Sequence, residues 1–317
     1  MHQISTKRLL ITLGVGLLCL LPSTGMAETK KRTCGTQPGQ SLQHFLDELN
    51  PGDTLLVSGT CNENVVFGDG RRNLVIDGQG SATISGPNPN QPTVNIRGRN
   101  ITIKGFTITG GQEGVHVFRG GSATIDGNLI QNVGTSGIGI HNQANAVIVN
   151  NTIQNNPDDG INVIGGSNAF IGIRSASNLV AGSNTIQNNG RRGVFVSRGS
   201  NTRIVGNTIS GNDGDGVNVS SVSHADIASN AIDDNGTIGG PSPTAGIAVG
   251  ENSGVNLGRD TGTGPLESPN TSNVPNKDFG IRCFINSYAN GRLGSLNGTA
   301  AAKDGFGVGG CIDSLLP

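Results

Sequence analysis

Short alternations of aliphatic and polar residues, each opened by a glycine, recur along the middle of the chain. They are Gly114-Val115-His116-Val117, Gly137-Ile138-Gly139-Ile140, Gly160-Ile161-Asn162-Val163, Gly193-Val194-Phe195-Val196, Gly216-Val217-Asn218-Val219 and Gly246-Ile247-Ala248-Val249. Their glycines lie 23, 23, 33, 23 and 30 residues apart. Three intervals are equal, and the two longer ones read as one unit plus an inserted loop. A second motif accompanies the first: Asn128-Leu129-Ile130-Gln131-Asn132, Asn151-Thr152-Ile153-Gln154-Asn155, Asn184-Thr185-Ile186-Gln187-Asn188, Asn207-Thr208-Ile209-Ser210-Gly211 and Asn230-Ala231-Ile232-Asp233-Asp234. A third alternating patch lies between them, as in Ala123-Thr124-Ile125, Ala146-Val147-Ile148, Thr202-Arg203-Ile204 and Ala225-Asp226-Ile227. Each unit therefore predicts three short strands of period two, separated by Gly, Asn and Ser turns.

A unit this small cannot bury its own apolar face, whereas stacked copies can. Each strand then pairs in parallel with its counterpart one turn along, ~4.8 Å away. Val115, Ile138, Ile161, Val194, Val217 and Ile247 become an interior aliphatic stack. Asn128, Asn151, Asn184, Asn207 and Asn230 become a ladder of side-chain amides, distinct from positions such as Asn142 and Asn201. Earlier segments continue the pattern less regularly: Val65-Val66-Phe67, Leu74-Val75-Ile76, Val94-Asn95-Ile96 and the stretch 101–108. Before them, apolar residues at 42, 45, 46 and 49 have helical spacing, with Ser41 as N-cap and Pro51-Gly52 as stop. Such a helix would cover the open end of a β stack.

The three-strand repeat, the Asn ladder and an N-terminal helix with a Cys pair resemble the right-handed parallel β-helix proteins of the pectin-lyase-like superfold. The resemblance implies an all-β, right-handed, single-stranded parallel β-helix with an N-terminal capping helix. Expected boundaries are 1–27 for an export signal, 28–52 for the cap, 53–253 for the repeats and 254–317 for irregular C-terminal coils and cap.

Composition agrees with this architecture. Glycine numbers 52 and asparagine 36 of 317 residues, which disfavours helices, and there is no tryptophan. Lys7-Arg8, the apolar run 9–21 and Gly25-Met26-Ala27 form a secretory signal cleaved after Ala27. The run is too short to span a bilayer, so a secreted or periplasmic address is expected, with no membrane span. Without Lys7 and Arg8 the charge is 19 bases against 22 acids, which opposes a broad nucleic-acid footprint. A monomer is expected. Cys19 leaves with the signal. The other four cysteines sit as one pair near each end, so Cys34–Cys61 and Cys283–Cys311 are the simplest pairing.

The superfold implied by the resemblance contains uronic-acid lyases, polygalacturonase-like hydrolases, mannuronan epimerases and many non-enzymatic surface proteins. Their signatures are absent as sets here: there is no G-H-G, R-x-K, D-P-H-D or R-x-P-x-x-R. What remains is the pair of residues before each strand-opening glycine: Thr135-Ser136, Asp158-Asp159, Arg191-Arg192, Gly214-Asp215 and Thr244-Ala245. Asp159, Arg192 and Asp215 should lie on consecutive turns and are the candidate catalytic residues. Asp158, Arg191 and Asp213 are candidate substrate contacts. Such a cluster suits an acidic sugar, with arginine meeting a uronate carboxylate and the aspartates forming an acid/base pair. The competing reading is a salt-bridge ladder at a turn. No motif calls for a cofactor. Calcium held between Asp159 and Asp215, or in the half-loop 212–216, is the metal this column could take. His116 points outward, with His141 just past the next strand. A metal or general-base pair there would need a third partner, so they are read as surface histidines. The expected function is the binding or processing of an acidic polysaccharide or envelope glycan. The alternative is a non-catalytic structural or surface-interaction protein, and a cleft walled by the insertions at 173–183 and 236–244 would favour the first.

Overall fold

The computed structural model describes residues 26–175, 182–238, 243–258, 268–304 and the strand Ile312–Asp313. Residues 1–25, most of the stretch 1–27 expected to be an export signal, and Cys311 lie outside the described residues. The chain winds as a parallel β-solenoid. One face, here the front face, is a ten-stranded parallel sheet running from Val65–Phe67 to Ala301–Asp304. The remaining strands merge into a second parallel sheet, because the long strands Arg72–Gly86 and Arg99–Gly110 bend around a corner without a break. Pairing carries on past residue 253 through Gly254–Leu257, Phe279–Cys283 and Tyr288–Asn290.

The repeat sets the register. On the front face Val115 pairs with Ile138, Ile138 with Ile161, Ile161 with Val194, Val194 with Val217 and Val217 with Ile247. All six are fully buried, as the alternation predicts.

Corners repeat one device, a left-handed residue followed by an inward polar one. Asn150 (φ 59°) precedes Asn151, Asn155 (φ 54°) precedes Asn156, and Gly165-Gly166 (both φ 72°) precede Ser167. Asparagine tolerates this backbone region, so one part of the Asn content serves the corners. Another part forms the expected ladder: the Asn151 amide donates to Ile125 O and Val149 O, both at 2.8 Å, and its Oδ1 accepts from the Asn128 backbone at 2.9 Å. A second ladder, Asn156–Asn189–Asn212–Asn235–Asn276, runs up the next corner. A serine column, Ser167–Ser200–Ser223–Ser253, lines the third.

Near the N-terminus, Leu42–Asp47 is a short helix whose N-cap Ser41 accepts from the His44 backbone N–H. Its Leu42, Phe45 and Leu46 are buried in the core. Thr29–Thr33 pairs with Thr54–Ser58 and adds a strand at this end. Cys34 and Cys61 are disulfide-bonded, with Cα atoms 5.0 Å apart. Cys283 is also disulfide-bonded, but its expected partner, Cys311, lies outside the described residues. Replacing Cys34 and Cys61, 27 residues apart, together by serine should lower unfolding stability by about 3.5 kcal/mol, the loop-closure value for this separation. Denaturant titration of the double variant checks this, and an unchanged midpoint would mean the link adds nothing.

Candidate functional site

The residues before the strand-opening glycines stack where the chain turns into the front face. Backbone N–H groups tie the column together: Gly137 donates to Asp159 O (3.1 Å), Gly160 to Arg192 O (2.8 Å) and Gly193 to Asp215 O (3.1 Å). Asp159, Arg192 and Asp215 thus occupy successive turns. The Arg192 guanidinium lies 3.7 Å from the Asp159 carboxylate and 3.7 Å from the centre of the Phe195 ring. Its Nη1 is buried without a hydrogen-bond partner. Burial lowers the Arg192 pKa, with Asp159 pulling the other way. In the outer column Arg191 pairs with Asp158 at 3.3 Å. Asp213 lies to the side and accepts from the Thr237 hydroxyl at 2.6 Å.

Both central carboxylates turn inward. Asp159 is wholly buried and accepts from the Arg192 backbone N–H (3.2 Å) and the Asn162 amide (3.3 Å). Burial raises its pKa to about 6 against the attraction of Arg192. Asp215 accepts from the Asn218 amide (2.7 Å) and the Ala245 backbone (2.8 Å), and burial raises its pKa too. Asp159 therefore holds Arg192 from beneath, and the expected acid/base pair facing substrate does not form on this geometry. Calcium between the two aspartates fits poorly, because a guanidinium occupies the turn between them. The half-loop 212–216 fits no better, since the Asn212 Oδ1 that would ligate the ion accepts from the Asn189 backbone and side-chain N–H groups in the second ladder.

Beside Arg192 the front face carries a recess of about 490 Å³. Asn162, Phe195 and Asn218 form its floor, in register on three neighbouring strands. Arg191 and Arg192 stand at one edge, Arg198, Ser221 and Glu251 at the other. The described ends of the insertion at 173–183 lie at a different corner, where Arg174 reaches Asp126 and Gly182 lies against Val149, and 176–181 lie outside the described residues. The insertion at 236–244 starts at the right corner, but 239–242 lie outside the described residues.

The same column contains a residue that the sequence reading passed over. Gly114 opens a front-face strand like the others, and the residue before it is Glu113. It is 8% exposed and lies between two imidazoles, 3.4 Å from His116 Nδ1 and 3.8 Å from His141 Nε2. The ring centres are 4.7 Å apart. Burial, with the nearby Asp158, raises the Glu113 pKa to about 7. Burial pushes both histidines down to about 4. The missing third partner is therefore present, and reading the rule one turn earlier would have found it.

The family described as "right handed beta helix region" matches residues 92–257, more than half of the chain, including this column and the face it borders. The chain belongs to the right-handed β-helix family. A cell surface glycoprotein of Methanothermus fervidus is 29% identical to this β-helix protein over 116 residues, which cover 36% of this chain and 19% of that protein. The chain thus spans about a fifth of that relative's length. Among solved structures, pectate lyase Pel9A superposes with a TM-score of 0.52 at 13% identity, covering 91% of this chain and 82% of its own. The A-module of Azotobacter vinelandii mannuronan C-5 epimerase AlgE4 gives 0.44 at 14% identity, covering 92% and 89%. At these identities the similarity concerns the fold.

Proposed function

We propose that this β-helix protein is exported and binds an acidic polysaccharide along its front face, at the recess beside Arg192. The observation that carries the reading is the Arg192 guanidinium, laid over Phe195 at the edge of the recess, whose Nη1 makes no hydrogen bond and has Asp159, at 3.7 Å, as its ion-pair partner. A sugar carboxylate would supply that missing acceptor and form charge-assisted hydrogen bonds. Asp159 and Asp215 point inward, so the charged lining of the recess is three arginines, Arg191, Arg192 and Arg198, against one carboxylate, Glu251, although the whole chain carries a formal charge of −1. Asn162 and Asn218 on the floor suit hydroxyl groups. The relative's description as a cell surface glycoprotein and the Cys34–Cys61 bond support an oxidising, exported address. Asp159 acts in this reading as a positioning residue. Any chemistry on the bound chain would fall to exposed groups near Arg192.

Oligogalacturonate and oligomannuronate should bind in calorimetric titration, more weakly as salt rises. Neutral dextran oligomers should not. Arg192→Ala should weaken binding at least tenfold, because losing a charged partner of a buried hydrogen bond typically costs more than 1.4 kcal/mol. A second recess, of about 420 Å³, lies on the merged sheet around Val147, Phe170 and Arg203, where Arg203 is already paired with Asp226 at 3.1 Å. Binding that is lost in Phe170→Ala and kept in Arg192→Ala would move the site there and overturn the proposal.

A further inference from the structure

The Glu113 cluster is outside the Arg192 recess, and its chemistry differs. We propose that Glu113, His116 and His141 form a binding site for one divalent transition-metal ion of the zinc class, at the edge of the front face of the solenoid.

Two imidazoles and one carboxylate are a donor set that zinc takes readily, with further positions left for water or a ligand. One ligand atom from each residue lies within 4.8 Å of the others. The His116–Glu113 separation of 3.4 Å is close to the ~3.4 Å between two ligands at ~2.1 Å from a tetrahedral ion. A purely structural cluster would close these gaps to ordinary hydrogen bonds. Here the distances are 3.4 and 3.8 Å, and the Nε2 atoms of both histidines are buried without a partner. On His141 the unpartnered nitrogen is the one that faces Glu113, so an ion between them would satisfy it.

Gly139 is the second observation. It pairs with His116 on one side and Asn162 on the other, in the middle of a strand. Its φ is not positive, so the backbone does not demand glycine, and glycine weakens a strand. A Cβ at this position would lie 2.5 Å from Glu113 Oε1 and 3.0 Å from His141 Cε1. The absent side chain leaves the space in which carboxylate and imidazole meet. Neighbouring positions in this row carry His116, Asn162, Phe195 and Asn218, so the vacancy coincides with the cluster. The surrounding charges are Asp158, which favours a cation, and Arg198, which opposes one at His141.

The test is zinc(II) binding to the full chain, in competition with a chromophoric chelator. One zinc per chain is expected. Glu113→Gln and His141→Ala should each weaken it at least tenfold, and Gly139→Ala should do the same by filling the space. His224→Ala should change nothing, since that imidazole lies with Asp226 and Tyr288 on the other sheet. Equal affinity in wild type, Glu113→Gln and His141→Ala would overturn the proposal, as would zinc that leaves with His224. X-ray absorption at the zinc edge of the loaded wild type needs no variant. It should show two imidazoles in the first shell, and one or none would also overturn the proposal.

Discussion

Asn151→Ala should lower the unfolding stability by about 2–3 kcal/mol, a large fraction of what holds a domain together. Asn151 is 1% exposed. Its Nδ2 serves Ile125 O and Val149 O, and its Oδ1 accepts the backbone and side-chain N–H groups of Asn128 at 2.9 and 3.1 Å. Alanine leaves those carbonyls and the Asn128 N–H groups facing each other in a dry corner, where water cannot replace the lost partner. Each orphaned group costs its desolvation energy, and the ladder transmits the defect to both neighbouring turns. Asn201→Ala is the matched control: the residue is exposed on a strand, and the change should stay within about 0.5 kcal/mol. Asn142 is a poorer control than its exposure suggests, because its φ of 56° makes alanine there pay for a left-handed backbone. Equal denaturation midpoints for Asn151→Ala and Asn201→Ala would remove the ladder from the account.

Gly160→Ala should be as damaging, for a steric reason. The strand-opening glycines do not have positive φ, so their role is close approach. A Cβ on Gly160 would lie 2.6 Å from Ile186 Cγ2, 2.7 Å from Gly193 O and 2.9 Å from Asn189 Nδ2. Two of these belong to the backbone and ladder of the next turn, and the third is a fully buried core methyl group. None can move without breaking the stack. Overpacking alone costs about 1–3 kcal/mol, and displacing the Asn189 amide adds to it. Gly137 and Gly193 meet the same three kinds of atom one turn away in each direction. Gly70 has nothing within 4 Å and no positive φ, so Gly70→Ala should be neutral or stabilising by a few tenths of a kcal/mol. Thermal unfolding of the two variants separates the cases. A Gly160→Ala protein as stable as Gly70→Ala would show that the turns tolerate wider spacing.

The glycine rule also shows what a repeat makes legible. Solenoid turns are related by translation, so residues one period apart must be neighbours, and the aliphatic stack, the first Asn ladder and the Asp159–Arg192–Asp215 column follow from spacing alone. The second ladder was hidden by doubled asparagines: in Asn155-Asn156 and Asn188-Asn189 the first residue turns the corner and the second points inward. Which of the two is buried depends on φ, which the letters do not carry. Spacing also fixed the positions of Asp159 and Asp215 but not their direction. Both lie where an outward carboxylate was expected, yet each is captured by a backbone N–H and an Asn three residues along, Asn162 or Asn218. Glu113 was within reach of the same arithmetic, whereas its contact with His141 requires the absence of a side chain at Gly139, which only packing shows.

The central functional claim is that Arg192 meets an acidic sugar on the front face. Diffraction from crystals of the protein with a bound oligouronate tests it most directly. The account predicts a carboxylate oxygen within hydrogen-bond distance of Arg192 Nη1, with the sugar chain lying across Asn162, Phe195 and Asn218. A ligand seated on the Val147–Phe170 recess instead, with Arg192 Nη1 still unpartnered, would contradict it.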